Sequence, residues 1–202
     1  MLLLSKLLFS SVLWASSSGL SLLDDGTHCV AYKAEKTTLL FTSGEVIGKN
    51  CDISAQVLPE VGGLYHIEVI IPIRGFQSGS ADRDEDVAKT LKAADKPELT
   101  FRSKAMSPDQ WRELFGKGKF DIEGELQIGA KAFPVKLASQ YIHGNEGDEI
   151  DGRANVKFAD FELSPPKVVG GLVAKSKPDL ELHFHLLGSR ILGADSIRLE
   201  KK

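Results

Sequence analysis

The residues with the clearest chemical potential are few and scattered. His183 and His185 stand two apart in a run of alternating character, so they share one face of a strand and could supply two nitrogen ligands to a metal. Sequence does not show a third ligand completing such a site, and His28 and His143 lie far away along the chain. The pair is therefore read as surface residues, and no metal site is assigned. His66 alternates onto a polar face in the same way and is expected to meet water. Arg83 carries a guanidinium that suits phosphate or carbonyl oxygens, or an ordinary ion pair with Asp84 or Asp86. Tyr65 and Tyr141 could offer hydroxyls to a buried polar group.

Catalytic patterns are not found. In Gly75-Phe76-Gln77-Ser78-Gly79 the serine is not central, as a nucleophile elbow requires. There is no phosphate loop, dinucleotide fingerprint or His-Glu-x-x-His motif. Carboxylates are numerous, but a glycosidase needs two in one cleft, and theirs alternate toward solvent. The chain reads as a non-enzyme, with no cofactor and no catalytic residue.

Cys29 and Cys51 are the only cysteines. An even pair in an oxidising compartment reads as a disulfide, the alternative being two separate buried thiols. The compartment follows from the first 19 residues. Lys6 ends a short positive start, Leu7 to Ala15 form an apolar run, and Ser16 to Gly19 supply the small side chains of a cleavage site. That run is too short to span a bilayer of roughly 30 Å. Residues 1–19 are thus read as a cleaved signal peptide, and no stable membrane insertion is expected. With 202 residues, 26% of them charged, and a formal net charge of −3, the chain has one domain's length and no electrostatic call on nucleic acid.

These residues must be positioned by strands. Tyr65, Ile67, Val69, Ile71 and Ile73 alternate with polar neighbours, as do Phe120, Ile122, Gly124, Leu126 and Ile128. Phe133, Val135, Leu137, Ser139 and Tyr141 repeat the pattern, then Ala154, Val156 and Phe158, and finally Leu180, Leu182, Phe184 and Leu186. Period two with one apolar face predicts antiparallel sheets wetted on one side. Weaker strands are read near Val30 to Phe41, Cys51 to Leu58 and Leu99 to Met106. The fold class is all-β: a barrel or sandwich of about eight strands, with one or two short helices. One helix starts after Ser80; the other follows Ser107 as N-cap and Pro108 as first residue. The domain is placed at residues 20–187, and the weaker pattern of 188–202 is read as a C-terminal tail.

Two segments carry a family resemblance. Phe76-Gln77-Ser78-Gly79-Ser80-Ala81-Asp82-Arg83-Asp84 through Lys96-Pro97-Glu98-Leu99-Thr100-Phe101-Arg102-Ser103 resembles the YceI-like pattern of an Arg-Asp helix, a proline and a Thr-Phe-x-Ser strand. Phe120 through Gly124, Leu126 and Ile128 to Lys131-Ala132-Phe133-Pro134-Val135 resembles that family's Gly-x-Leu-x-Ile hairpin and the strand after it. The resemblance implies a lipocalin-like antiparallel barrel in the periplasm that carries an isoprenoid or other long-chain amphiphile without chemistry. The family's histidine after Arg-Asp is missing here, since Asp86 and Val87 follow Arg83-Asp84-Glu85. That departure bears on the headgroup end of the ligand.

The candidate ligand-binding set is then Tyr65, Ile67, Val69, Ile71, Arg83, Leu99, Phe101, Phe120, Ile122, Leu126, Val135, Leu137, Tyr141, Phe158, Leu182 and Phe184. Burying hydrocarbon there yields about 0.8 kcal/mol per CH₂. A filled barrel that docks an envelope protein is the alternative, and a hydrolase or metal-dependent enzyme a more distant one. A homodimer is compatible with such a barrel, although no residue argues for it.

Overall fold

The computed structural model describes residues 22–37, 43–144, 147–165 and 175–197. The signal-peptide reading of residues 1–19 lies outside these. Among the described residues ten strands form one sheet: β1 (Cys29–Thr37), β2 (Ser43–Asn50), β3 (Ser54–Glu60), β4 (Leu64–Pro72), β5 (Glu98–Ser103), β6 (Lys119–Ile128), β7 (Lys131–Gly144), β8 (Gly147–Lys157), β9 (Lys175–Leu187) and β10 (Ile191–Leu192). Their order is β10-β3-β4-β5-β6-β7-β8-β9-β1-β2. Every neighbouring pair is antiparallel except β10 with β3. The sheet curls into a half-barrel whose concave face carries the main core. Alternation explains which face that is: Ile67, Val69 and Ile71 are buried, as are Ile122, Val135 and Leu137.

The strand count exceeds the expected eight for two reasons. β2 holds two glycines and sets its apolar Val46 and Ile47 side by side, so it shows no apolar alternation and has no sequence signal of its own. β10 lies in the stretch read as a tail; Ile191, Ala194 and Ile197 are buried against the barrel, which extends the fold past Leu187.

Among the described residues no ladder joins β2 to β3 or β10. Shorter ties cross this seam. Lys49 and Gln77 exchange backbone hydrogen bonds of 3.0 and 2.9 Å. The fully buried Asn50 amide donates to the Pro72 carbonyl at 2.8 Å, and Gly75 packs so closely on it that a Cβ there would lie 2.6 Å from Nδ2. Cys29 and Cys51 form a disulfide next to the Val30–Asn50 pair, stapling the ends of β1 and β2.

The described residues include two α-helices, α1 (Ala81–Thr90) and α2 (Pro108–Gly116). Ser107 caps α2 through a reciprocal capping box with Gln110, the Ser-x-x-Gln spacing that such a box needs. Ser80 precedes α1 without a side-chain cap bond; instead Asp84 accepts from the Ser78 backbone N–H at 2.9 Å.

Candidate functional site

The inner faces of the strands enclose an apolar cavity of about 110 Å³. β4 contributes Ile67, Val69 and Ile71, β5 Leu99 and Phe101, and β6 Ile122 and Leu126. Val135 and Leu137 from β7 and Leu182 and Phe184 from β9 complete the predicted part of the wall. Val30, Tyr32, Phe76, Ile150 and Leu186 also line it and were missed from sequence. Ile150 and Leu186 continue alternations visible in their strands, whereas Tyr32 and Phe76 sit in stretches of mixed polarity.

The room in the cavity depends on glycines facing the rings. A Cβ on Gly48 would lie 2.2 Å from Tyr32, one on Gly124 2.7 Å from Phe101, and one on Gly152 2.8 Å from Phe184. Tyr32 pairs directly with Gly48 and Phe184 with Gly152 across their ladders. Each ring therefore lies flat against the wall where a side chain would otherwise stand, and the space beyond it stays open.

The remaining predicted residues lie elsewhere. Tyr65, Phe120 and Tyr141 are drawn to α2, which plugs one end of the β6–β7 hairpin. Trp111, fully buried, donates its indole N–H to the Tyr65 carbonyl at 2.9 Å. Phe115 stacks on Tyr141 with ring centres 4.7 Å apart and meets Phe120 at 5.6 Å. Phe158 opens a 3-10 turn, Phe158–Phe161, near the other end of that hairpin, where Phe161 meets Phe133 edge-on at 5.7 Å. Arg83 does not reach into the lumen: its guanidinium donates to Ser78 Oγ at 3.2 Å and to the Ser78 carbonyl at 2.8 Å.

The histidines are not surface residues, against the sequence expectation. His183 is 5% exposed and His185 is fully buried. They do face outward from the barrel, but the segment before β1 folds over them. Leu22 donates its backbone N–H to His183 Nδ1 at 3.3 Å, and Leu187 donates to His28 Nδ1 at 3.1 Å. His185 Nε2 lies 2.9 Å from a Glu149 carboxylate oxygen. Burial drives the His28 pKa down to about 4, helped by Arg190 and His185, and burial also lowers that of His183. His66 is buried too, with Nδ1 2.8 Å from Glu60 Oε1.

Donor atoms suited to a cation come together at Asp25, Glu149 and His185, all within 4.8 Å of one another. This group lies on the outer wall, away from the lumen, and pairs His185 with neither His183 nor another histidine.

The family model for the YceI-like domain matches residues 27–186. Among solved structures, the chain is similar to BcnA of Burkholderia cenocepacia, at 20% identity over 76% of this chain and 94% of that one, with a TM-score of 0.53. That likeness shows the shared fold. A YceI protein of Campylobacter jejuni aligns at 17% identity over 66% and 82% of the two chains, TM-score 0.45. A polyisoprenoid-binding domain from Saccharophagus degradans, implicated in plant cell wall breakdown, aligns at 10% identity over 77% and 91%, TM-score 0.46. No curated protein matches the sequence.

Proposed function

The chain belongs to the YceI-like domain family, and on that premise we propose that it carries or stores an isoprenoid or other long-chain amphiphile in its barrel. The observation that supports this most directly is the apolar cavity, kept open by rings laid against glycines. A lumen walled by aliphatic and aromatic side chains favours hydrocarbon, because each buried methylene leaves water at a gain of about 0.8 kcal/mol. Binding by shape and burial needs no chemistry on the ligand, so the protein is read as a carrier and not an enzyme. The apolar run before Ala15 and the small residues after it support export to the periplasm.

Native mass spectrometry of the protein isolated from a bacterial periplasm, followed by organic extraction, tests the reading. One lipid's worth of extra mass that leaves with solvent is expected. A folded protein that never carries extractable lipid would sink the carrier reading and leave the filled barrel with a protein partner.

A further inference from the structure

The outward face of the β8–β9 ladder holds buried groups that carriage of a ligand in the lumen does not use. His185 is fully buried and Glu149 is 8% exposed. Glu149 pairs with Leu187 across the ladder, which makes it the diagonal neighbour of His185, and its carboxylate lies 2.9 Å from His185 Nε2. Asp151, also buried, stands directly opposite His185 and adds a second carboxyl group to the same face. The segment before β1 brings a third. Its turn is closed by the Thr27 N–H on the Asp24 carbonyl at 3.3 Å, with Gly26 at φ +74°, and sets Asp25 at the corner. One donor atom each from Asp25, Glu149 and His185 then lies within 4.8 Å of the other two.

Two observations point to a cation. His185 offsets at most one of the Asp25 and Glu149 charges, even when protonated. Neither Arg153 nor Arg190, both exposed, forms an ion pair with Asp25 or Glu149 among the described residues. A buried carboxylate needs a compensating charge. The histidine is also only half satisfied, since its Nδ1 is shielded from solvent without a hydrogen-bond partner among the described residues. Bonds of about 2.0–2.2 Å to one zinc-like ion set its ligands about 3.4 Å apart. The three donors therefore need only a small closing movement, and Asp25, exposed on its turn, is the one placed to make it.

We propose that Asp25, Glu149 and His185 bind a zinc-like divalent cation that fastens the segment before β1 to the outer wall of the barrel. One imidazole with carboxylates suits such an ion, whereas magnesium and calcium take oxygen ligands. The site is separate from the lumen, so the proposal stands without the carrier reading. It replaces the two-histidine pair that sequence offers with one histidine and two carboxylates, drawn from β9, β8 and the segment before β1.

The test titrates Zn²⁺ against a chromophoric chelator in the untagged, metal-stripped protein. Wild type should bind one ion per chain, and Mg²⁺ should not displace it. Asp25→Asn and Glu149→Gln should each weaken binding about ten-fold or more, since even a group that only supports a ligand is worth that much. His143→Ala, which alters the exposed His143–Asp148 pair, should bind as wild type does. Zinc should slow hydrogen exchange of residues 22–28 in wild type and leave it unchanged in Asp25→Asn. No saturable binding by wild type overturns the site, and displacement by Mg²⁺ overturns the mixed donor set. Undiminished binding by Asp25→Asn, a substitution at an exposed turn that the fold tolerates, overturns the fastening whether or not Glu149→Gln folds. Binding lost in His143→Ala shows an adventitious ion only, and overturns the proposal as well.

Discussion

The ring of Phe184 lies over Gly152, its direct partner across the β8–β9 ladder, so closely that a Cβ on the glycine would fall 2.8 Å from Cε1 and 2.4 Å from the Ala138 carbonyl oxygen. Neither neighbour can yield cheaply: one is backbone, and the other is 7% exposed within the core. Gly152→Ala should therefore push Phe184 into the lumen and strain the β7–β8 ladder. Overpacking of this kind costs about 1–3 kcal/mol. Thermal unfolding should fall by several degrees, and diphenylhexatriene uptake should drop with it. An unchanged midpoint with unchanged dye binding would show that the wall accommodates a side chain there.

The same pairing explains what sequence could and could not reveal. Strict alternation reports the face of a residue, so Ile67, Ile122, Val135 and Leu182 were legible as wall residues from period two alone. Tyr32 was not, because its β1 neighbours Ala31, Lys33 and Ala34 give little contrast and its partner strand offers Gly48 where an apolar residue was sought. Tyr65, Phe120 and Tyr141 have the right parity, yet α2 inserts its aromatics beneath them; parity fixes a face and not what packs there. His183 and His185 point outward as parity requires. Their burial depends on the segment before β1 folding back on them, a contact between residues more than 150 positions apart.

Cys29 and Cys51 sit beside the seam, 22 positions apart, with Cα atoms 4.1 Å from each other. Closing a loop of that length stabilises the fold by roughly 3 kcal/mol in the chain-entropy model. The double variant Cys29→Ser, Cys51→Ser should unfold at distinctly lower denaturant concentration than wild type. Reductant should lower the wild-type midpoint and leave the variant unmoved. A wild-type midpoint indifferent to reductant would mean that the staple contributes nothing beyond what Asn50 and the Lys49–Gln77 bridge already hold.

Trp111 anchors the plug at the α2 end. It is fully buried, packs on Phe115 at 5.5 Å and donates to the Tyr65 carbonyl. Trp111→Ala leaves a cavity under α2 and should cost about 3–5 kcal/mol in denaturant unfolding. α2 itself is capped by Ser107 and Gln110, so the loss should come from docking and not from the helix. Hydrogen exchange should then speed up at the end of β6–β7 near Tyr141 more than near Phe133. Uniform acceleration would show that the plug is not a separate element.

His28 makes stability depend on pH. Its folded-state pKa is about 4, from an ordinary 6.5, chiefly because the ring, at the end of the segment that covers β9, is buried. The depressed value means that the unfolded chain binds the proton first. Its contribution is thus fully present above pH 6.5 and is lost as pH falls from there toward 4, where both states become protonated. By pH 5 the loss from this residue should be about 2 kcal/mol. His183, depressed by burial as well, acts in the same direction. Urea unfolding at pH 7.5 and pH 5 measures the difference. His28→Asn places an amide oxygen where Nδ1 accepts from the Leu187 N–H and removes the titration, so the variant should lose markedly less stability between the two pH values. Equal losses in the two proteins would assign the acid sensitivity to His183 or to groups elsewhere in the barrel.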